Sequence, residues 1–122
     1  MNTNCALKFI QAINQGDVDG MSSLMTNDHL FTDSQGNNLQ GRDKMVEAWK
    51  GYFALFADYR IEIEESIEKG SLVCLFGYAS ATYIDGKTKE HHFWRIPAAW
   101  KAIVENEQVK HWQVYADNSV VI

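Results

Sequence analysis

Tyr59 to Ile84 reads YRIEIEESIEKGSLVCLFGYASATYI, and the patterning of this stretch decides the fold class. Tyr59, Ile61, Ile63 and Ile67 alternate with Arg60, Glu62, Glu64 and Glu68, the period of a strand with one apolar and one wet face. The doubled Glu64-Glu65 interrupts that period and predicts a bulge near Glu65. Lys69-Gly70-Ser71 turns the chain into a long apolar strand, Leu72 to Ile84, and Asp85-Gly86 is a hairpin signal behind it. Further strands are expected from His91 to Glu105 and from Gln108 to Asp117, joined at Asn106-Glu107.

Upstream the period changes. Ala6, Phe9, Ile10 and Ile13 recur at helical spacing and predict a helix over residues 4–14. Gly16 stops it, and Asp17 caps a short second helix carrying Val18, Met21, Leu24 and Met25. His29 to Asp33 alternates as a short strand before the Gln35-Gly36-Asn37-Asn38 turn. Gly41 to Phe56 is the strongest helix, with Met45, Trp49, Tyr52, Phe53 and Phe56 in a wide apolar stripe. Helices first and consecutive antiparallel strands afterwards make an α+β domain, with helices on one face of a sheet. The expected core holds Phe9, Ile13, Leu24, Trp49, Phe53, Leu75, Ile96, Trp100 and Trp112. The aromatic residues on both partners exceed what such a core needs, so a curved sheet closing over a helix leaves a ring-lined pocket.

The 122 residues fit one domain, and a 46% hydrophobic fraction excludes intrinsic disorder. No run approaches the ~20 apolar residues of a membrane span. Met1 to Asn4 is polar and lacks the basic start and apolar block of a secretory signal. Eleven Lys and Arg against a net charge of -5 argue against a nucleic-acid partner. Cys5 and Cys74 match neither a disulfide framework nor a zinc pattern, so a reducing cytoplasm is the simplest home. The late strands carry more apolar side chains than three helices can hide, which predicts a homodimer burying the outer face.

Three segments then carry a resemblance: FIQAINQGD (Phe9 to Asp17), LMTNDHLFTDSQG (Leu24 to Gly36) and Gly41-Arg42-Asp43 opening an aromatic helix. Together they resemble the nuclear transport factor 2-like superfamily. IPAAW (Ile96 to Trp100) and VKHWQVYADN (Val109 to Asn118) look like its SnoaL-like polyketide cyclase branch, beside the ketosteroid isomerases. The resemblance covers nearly the whole chain. It implies a cone of strongly bent, mostly antiparallel sheet with three N-terminal helices, a cystatin-like fold, and points to a homodimer. It is poor for function, because the superfamily includes isomerases, cyclases, epoxide hydrolases, dehydratases and proteins without catalysis.

By its spacing from Gly16-Asp17, Asp33 matches the position of the isomerases' general base. At the mouth of an apolar pocket, loss of water penalises a carboxylate's anion and makes it a proton shuttle near working pH. Alternation puts His29 and Phe31 on the face of Asp33, adding a second titratable group and an aromatic wall. The plainer reading is that Asp33 starts the Ser34-Gln35-Gly36 turn. The isomerases' two oxyanion donors are replaced: Phe9 and, in a gapless reading, Ala99 stand at their positions. Loss of one such donor costs ~3 kcal/mol of transition-state stabilisation, so steroid isomerisation is disfavoured. Tyr52, Tyr78 and Trp100 are the candidates to substitute.

Asp117 is the second catalytic candidate, since SnoaL-like cyclases carry an aspartate shortly after a tryptophan on the last strand. The usual gap is four residues; from Trp112 it is five here, so Asp117 reaches the pocket only through a bulge. The epoxide hydrolases' aspartate, two after that tryptophan, is Val114 here. His91-His92 is no metal site, because strand neighbours point to opposite faces. Glu62, Glu64, Glu65 and Glu68 read as a solvated face, and Cys74 as core.

Two functions are compatible with these residues. One is a cofactor-free acid/base enzyme of cyclase, isomerase or dehydratase type for a small apolar carbonyl compound, with Asp33, Asp117 and His29 catalytic. Its ligand would lie among Phe31, Trp49, Phe53, Trp94 and Trp100. The other is a non-catalytic ligand-binding or interaction domain. Convergence of Asp33, Asp117 and a histidine on one cavity would favour the enzyme.

Overall fold

The computed structural model describes residues 1–84 and 86–117, so Asp85 of the expected hairpin and Asn118 fall outside it. Helices α1 (Asn2–Asn14) and α2 (Val18–Ser23) lead into β1 (Met25–Thr32) and a short β2 (Asn38–Gln40). Helix α3 (Arg42–Leu55) precedes β3 (Arg60–Lys69), β4 (Leu72–Ile84), β5 (His91–Glu105) and β6 (Gln108–Tyr115). The six strands form one curved, unclosed sheet in the order β2-β1-β6-β5-β4-β3. All neighbours are antiparallel except β1 and β6, which run parallel.

Cys5, Ala6, Phe9, Ile10, Ala12 and Ile13 form the buried stripe of α1, which is the helical period read from the sequence. Just beyond the helix, Gly16 adopts φ 64°, a left-handed conformation that suits glycine at a helix exit. Asp17 then caps α2 by accepting the Gly20 N–H at 2.9 Å. Helix α2 ends before Met25, which instead opens β1. Asn14 ties α1 to the edge of the sheet: its amide donates to the Ile61 carbonyl at 2.9 Å and accepts the Ile61 N–H at 2.7 Å.

The bulge of β3 lies between Ile63 and Glu65, and it reverses the facing of the residues beyond it. Ile61 and Ile63 pair with Ala79 and Gly77, whereas Ser66 and Glu68 pair with the buried Leu75 and Val73. Ile67 therefore moves to the outer face opposite Cys74 and is exposed, contrary to the unbroken alternation. Cys74, half-buried there, is likewise not a core residue. Glu68 turns toward α1 and accepts both the N–H and the hydroxyl of Thr3 at 2.6 Å, so it is not merely a solvated side chain. These bonds hold its carboxyl below the usual carboxylate range. Opposite the bulge, a Cβ on Gly77 would overlap the Glu62 carbonyl oxygen, so only glycine allows this close approach.

Pro97 sits inside β5 without breaking it. Its partner on β4 is Tyr78, while β6 begins to pair only at Ala99, so the proline lies on a stretch with one strand neighbour. Of the expected core, Phe9, Ile13, Trp49, Leu75, Ile96, Trp100 and Trp112 are buried; Leu24 and Phe53 are half-buried against it. No helix among the described residues is long and apolar enough to cross a membrane.

Candidate functional site

Between α3 and the sheet lies a cavity of about 410 Å³. Helix α3 contributes Met45, Ala48, Trp49 and Tyr52, and Tyr59 comes from the connection to β3. Trp94, Ile96 and Trp100 of β5 and Trp112 and Val114 of β6 make the floor. Phe31 and Asp33 lead from β1 into a polar rim of Ser34, Asn37 and Asn38. All four tryptophans of the chain border the cavity.

The rings pack on one another. Trp49 meets Phe31 edge-on at 6.3 Å and Tyr59 at 6.3 Å, and Tyr59 meets Trp94 at 6.4 Å. Tyr52 stands edge-on to Tyr59 at 5.1 Å. Burial pushes the Tyr52 hydroxyl up to about 12 and, with Tyr52 beside it, raises Tyr59 as well. Both phenols are therefore hydrogen-bond donors at neutral pH. Phe53 does not line the cavity; it stacks on Trp49 at 5.4 Å from behind and fixes that ring.

Asp33 fulfils both readings of its sequence context. It borders the cavity and also organises the turn, where its Oδ1 accepts the N–H groups of Gln35 and Asn37, each at 2.9 Å. Both bonds fall on Oδ1. Asp33 is the sole charged side chain among the described lining residues.

The other two expected catalytic groups do not join it. His29 is fully buried, packs on Phe9 at 6.0 Å and does not border the cavity. Its Nδ1 lies 2.7 Å from the Val109 carbonyl, which can only accept, so Nδ1 carries the proton. Nε2 is buried without a partner. Asp117 is exposed and absent from the lining. Trp112, Val114 and Ala116 border the cavity in strict alternation, and β6 keeps an even register from His111 to Tyr115. No register shift falls between His111 and Tyr115, and Asp117, two residues beyond the strand, does not border the cavity.

Neither isomerase-like donor position supplies a donor. Phe9 packs edge-on against Trp112 at 5.0 Å, and Ala99 lies between the buried Ala98 and Trp100, on the other face. Tyr78 is under the Arg95 guanidinium at 3.7 Å and does not border the cavity. His91 and His92 are both exposed. Tyr59 was the residue missed: it reads as the first apolar position of β3, yet its inward phenol ends in the cavity wall.

Burial is the main cause that lowers the pKa of His29, with the Val109 hydrogen bond opposing it; His111 is lowered by burial and Lys101. A histidine that resists protonation when folded makes the unfolded state bind more protons at low pH. Its stability contribution is complete above pH 6.5 and declines as pH falls from there to the folded pKa. Urea midpoints are thus expected to fall between pH 7.5 and pH 5.5, and less so in His29→Phe. An equal fall in the variant would remove His29 as the cause and leave His111.

Residues 6–120 match the SnoaL-like domain family. The chain belongs to that family. No curated protein matches the chain. Solved structures do, beginning with a Shewanella denitrificans protein described as a SnoaL-like polyketide cyclase. It is 17% identical at a TM-score of 0.89, covering 98% of this chain and 93% of that one. IdmH from Streptomyces antibioticus, described as a polyketide cyclase, is 16% identical at 0.82, covering 97% and 93%. A Catenulispora acidiphila protein of ketosteroid isomerase-like fold, in complex with trimethylamine, is 15% identical at 0.74, covering 91% and 83%. At these identities the likeness shows the fold alone.

Proposed function

We propose that this SnoaL-like domain binds a flat, largely apolar carbonyl compound in its aromatic cavity and that Asp33 moves a proton on it without a cofactor. One observation carries the reading: among the described lining residues a single carboxylate stands at the polar rim of a cavity otherwise walled by rings and aliphatic side chains. The proton of a C–H bond next to the carbonyl passes to Asp33. The bonding pair becomes the carbon–carbon π bond, and the carbonyl π pair moves to oxygen. Where the compound carries a β,γ double bond, return of the proton from Asp33 to its γ carbon shifts that double bond into conjugation. Alternatively, attack of the enolate carbon on a second carbonyl closes a ring, and the proton on Asp33 passes to the alkoxide so formed.

A non-catalytic binding domain is the second reading, favoured by the lack of a histidine or second carboxylate beside Asp33 among the described lining residues. Exchange in D2O separates the two. Tryptophan fluorescence reports binding of 2-acetonaphthone, and proton NMR reports deuterium uptake at its methyl group. Binding with exchange supports catalysis; binding alone supports the second reading; no binding contradicts both.

The same proposal places a partner copy on the outer sheet face. Phe76, Ala99 and Tyr115 lie in register across β4, β5 and β6, with Phe76 42% and Tyr115 49% exposed. Light scattering is expected to give twice the chain mass, and a monomer at micromolar concentration would contradict this. The unpaired Cys5 and Cys74 fit a cytoplasmic home.

A further inference from the structure

One wall of the cavity carries several donors. Tyr59 is 9% exposed, borders the cavity and has no hydrogen-bond acceptor among the described residues. Trp49 and Trp94 both pack tilted against its ring, at 6.3 and 6.4 Å. Their buried indole N–H groups have no partner either. A buried donor without an acceptor costs about 1–3 kcal/mol. The two indole N–H groups are sealed within the packing, so the donor of this wall that a ligand can reach is the hydroxyl of Tyr59, which borders the cavity. The acceptor that this wall lacks is a ligand oxygen.

We propose that the Tyr59 hydroxyl is the hydrogen-bond donor to the ligand's carbonyl oxygen, beside the rings of Trp49 and Trp94. This inference rests on the carbonyl-binding reading and supplies what Phe9 and Ala99 cannot. It divides the site by chemistry: oxygen at Tyr59, aromatic faces along Trp49 and Phe31, and the exchangeable C–H toward Asp33. A neutral phenol suits this role, because it donates to a carbonyl in the ground state and more strongly to the enolate oxygen. Tyr52, edge-on to Tyr59, limits the ring's freedom. The preferred ligand is an aromatic ketone or aldehyde over a hydrocarbon of the same shape, since only the carbonyl compound satisfies the donor.

The test uses 2-acetonaphthone with a carbon-13 carbonyl, followed by infrared difference spectroscopy. Bound to the parent protein, its carbonyl stretch is expected below the value in hexane. In Tyr59→Phe it should return toward the hexane value, with affinity about 2- to 12-fold weaker, the loss of one hydrogen bond. A matching thermal midpoint shows that the variant is folded. The parent should also bind the ketone more tightly than 2-isopropenylnaphthalene, a comparison that needs no variant. An unshifted carbonyl in the parent, or the same shift in folded Tyr59→Phe, overturns the Tyr59 role while leaving carbonyl binding intact. Failure of the parent to bind the ketone overturns the underlying reading and the Tyr59 role with it.

Discussion

Asp33→Asn is expected to fold, to bind 2-acetonaphthone as the parent does, and to exchange its methyl protons ~10²–10⁴-fold more slowly. The substitution isolates proton transfer because of how the turn is built. Both backbone bonds to Asp33 end on Oδ1, and the asparagine side-chain oxygen can accept the same two N–H groups. What disappears is the second carboxylate oxygen and the ability to take a proton. A purely structural Asp33 would leave exchange untouched. Parent-like exchange in Asp33→Asn together with its loss in Asp117→Asn would transfer the role to the end of β6, although Asp117 does not border the cavity.

Trp112→Ala is expected to lower unfolding free energy by about 3–5 kcal/mol in urea titrations. Trp112 is 1% exposed and packs edge-on against Phe9. It sits opposite Phe31 on β1 and Ala102 on β5, so it joins the parallel strand pair to the rest of the sheet. Its other side borders the cavity. Removing the indole therefore enlarges an existing space that cannot collapse, which favours the upper part of the range. A loss below about 1 kcal/mol would mean that Trp112 is only a wall of the cavity and no part of the core.

The long strands β4 and β5 were legible to the residue, because their apolar runs end at clear turn signals. The bulge of β3 was legible from one doubled glutamate, although its consequence for Ile67 and Cys74 was not: facing depends on which neighbour the register shift selects. Strand β2, three residues long, has too little alternation to register. The parallel pairing of β1 with β6 joins segments some eighty residues apart, such as Leu30 and His111, and no local pattern encodes it.

The candidate site was legible in parts. Asp33, Phe31, Trp49, Trp94 and Trp100 all reach the cavity. Phe53 was misassigned because a wide helical stripe does not say which ring faces a space and which stacks behind it. His29 shares the inward side of β1 with Phe31 but lies beneath α1 rather than α3, a distinction made by tertiary packing. Tyr59 hid in the alternation of β3. Its signal was the residue type, since a tyrosine on an inward position needs somewhere to send its hydroxyl.

The most direct test of the central claim is a crystal structure of the protein with 2-acetonaphthone. The account predicts the naphthalene between Trp49 and Trp112, the carbonyl oxygen about 3 Å from the Tyr59 hydroxyl, and the methyl carbon directed to Asp33. An empty cavity at saturating ketone, or a ketone bound with its oxygen turned away from Tyr59 toward the rim, would contradict it.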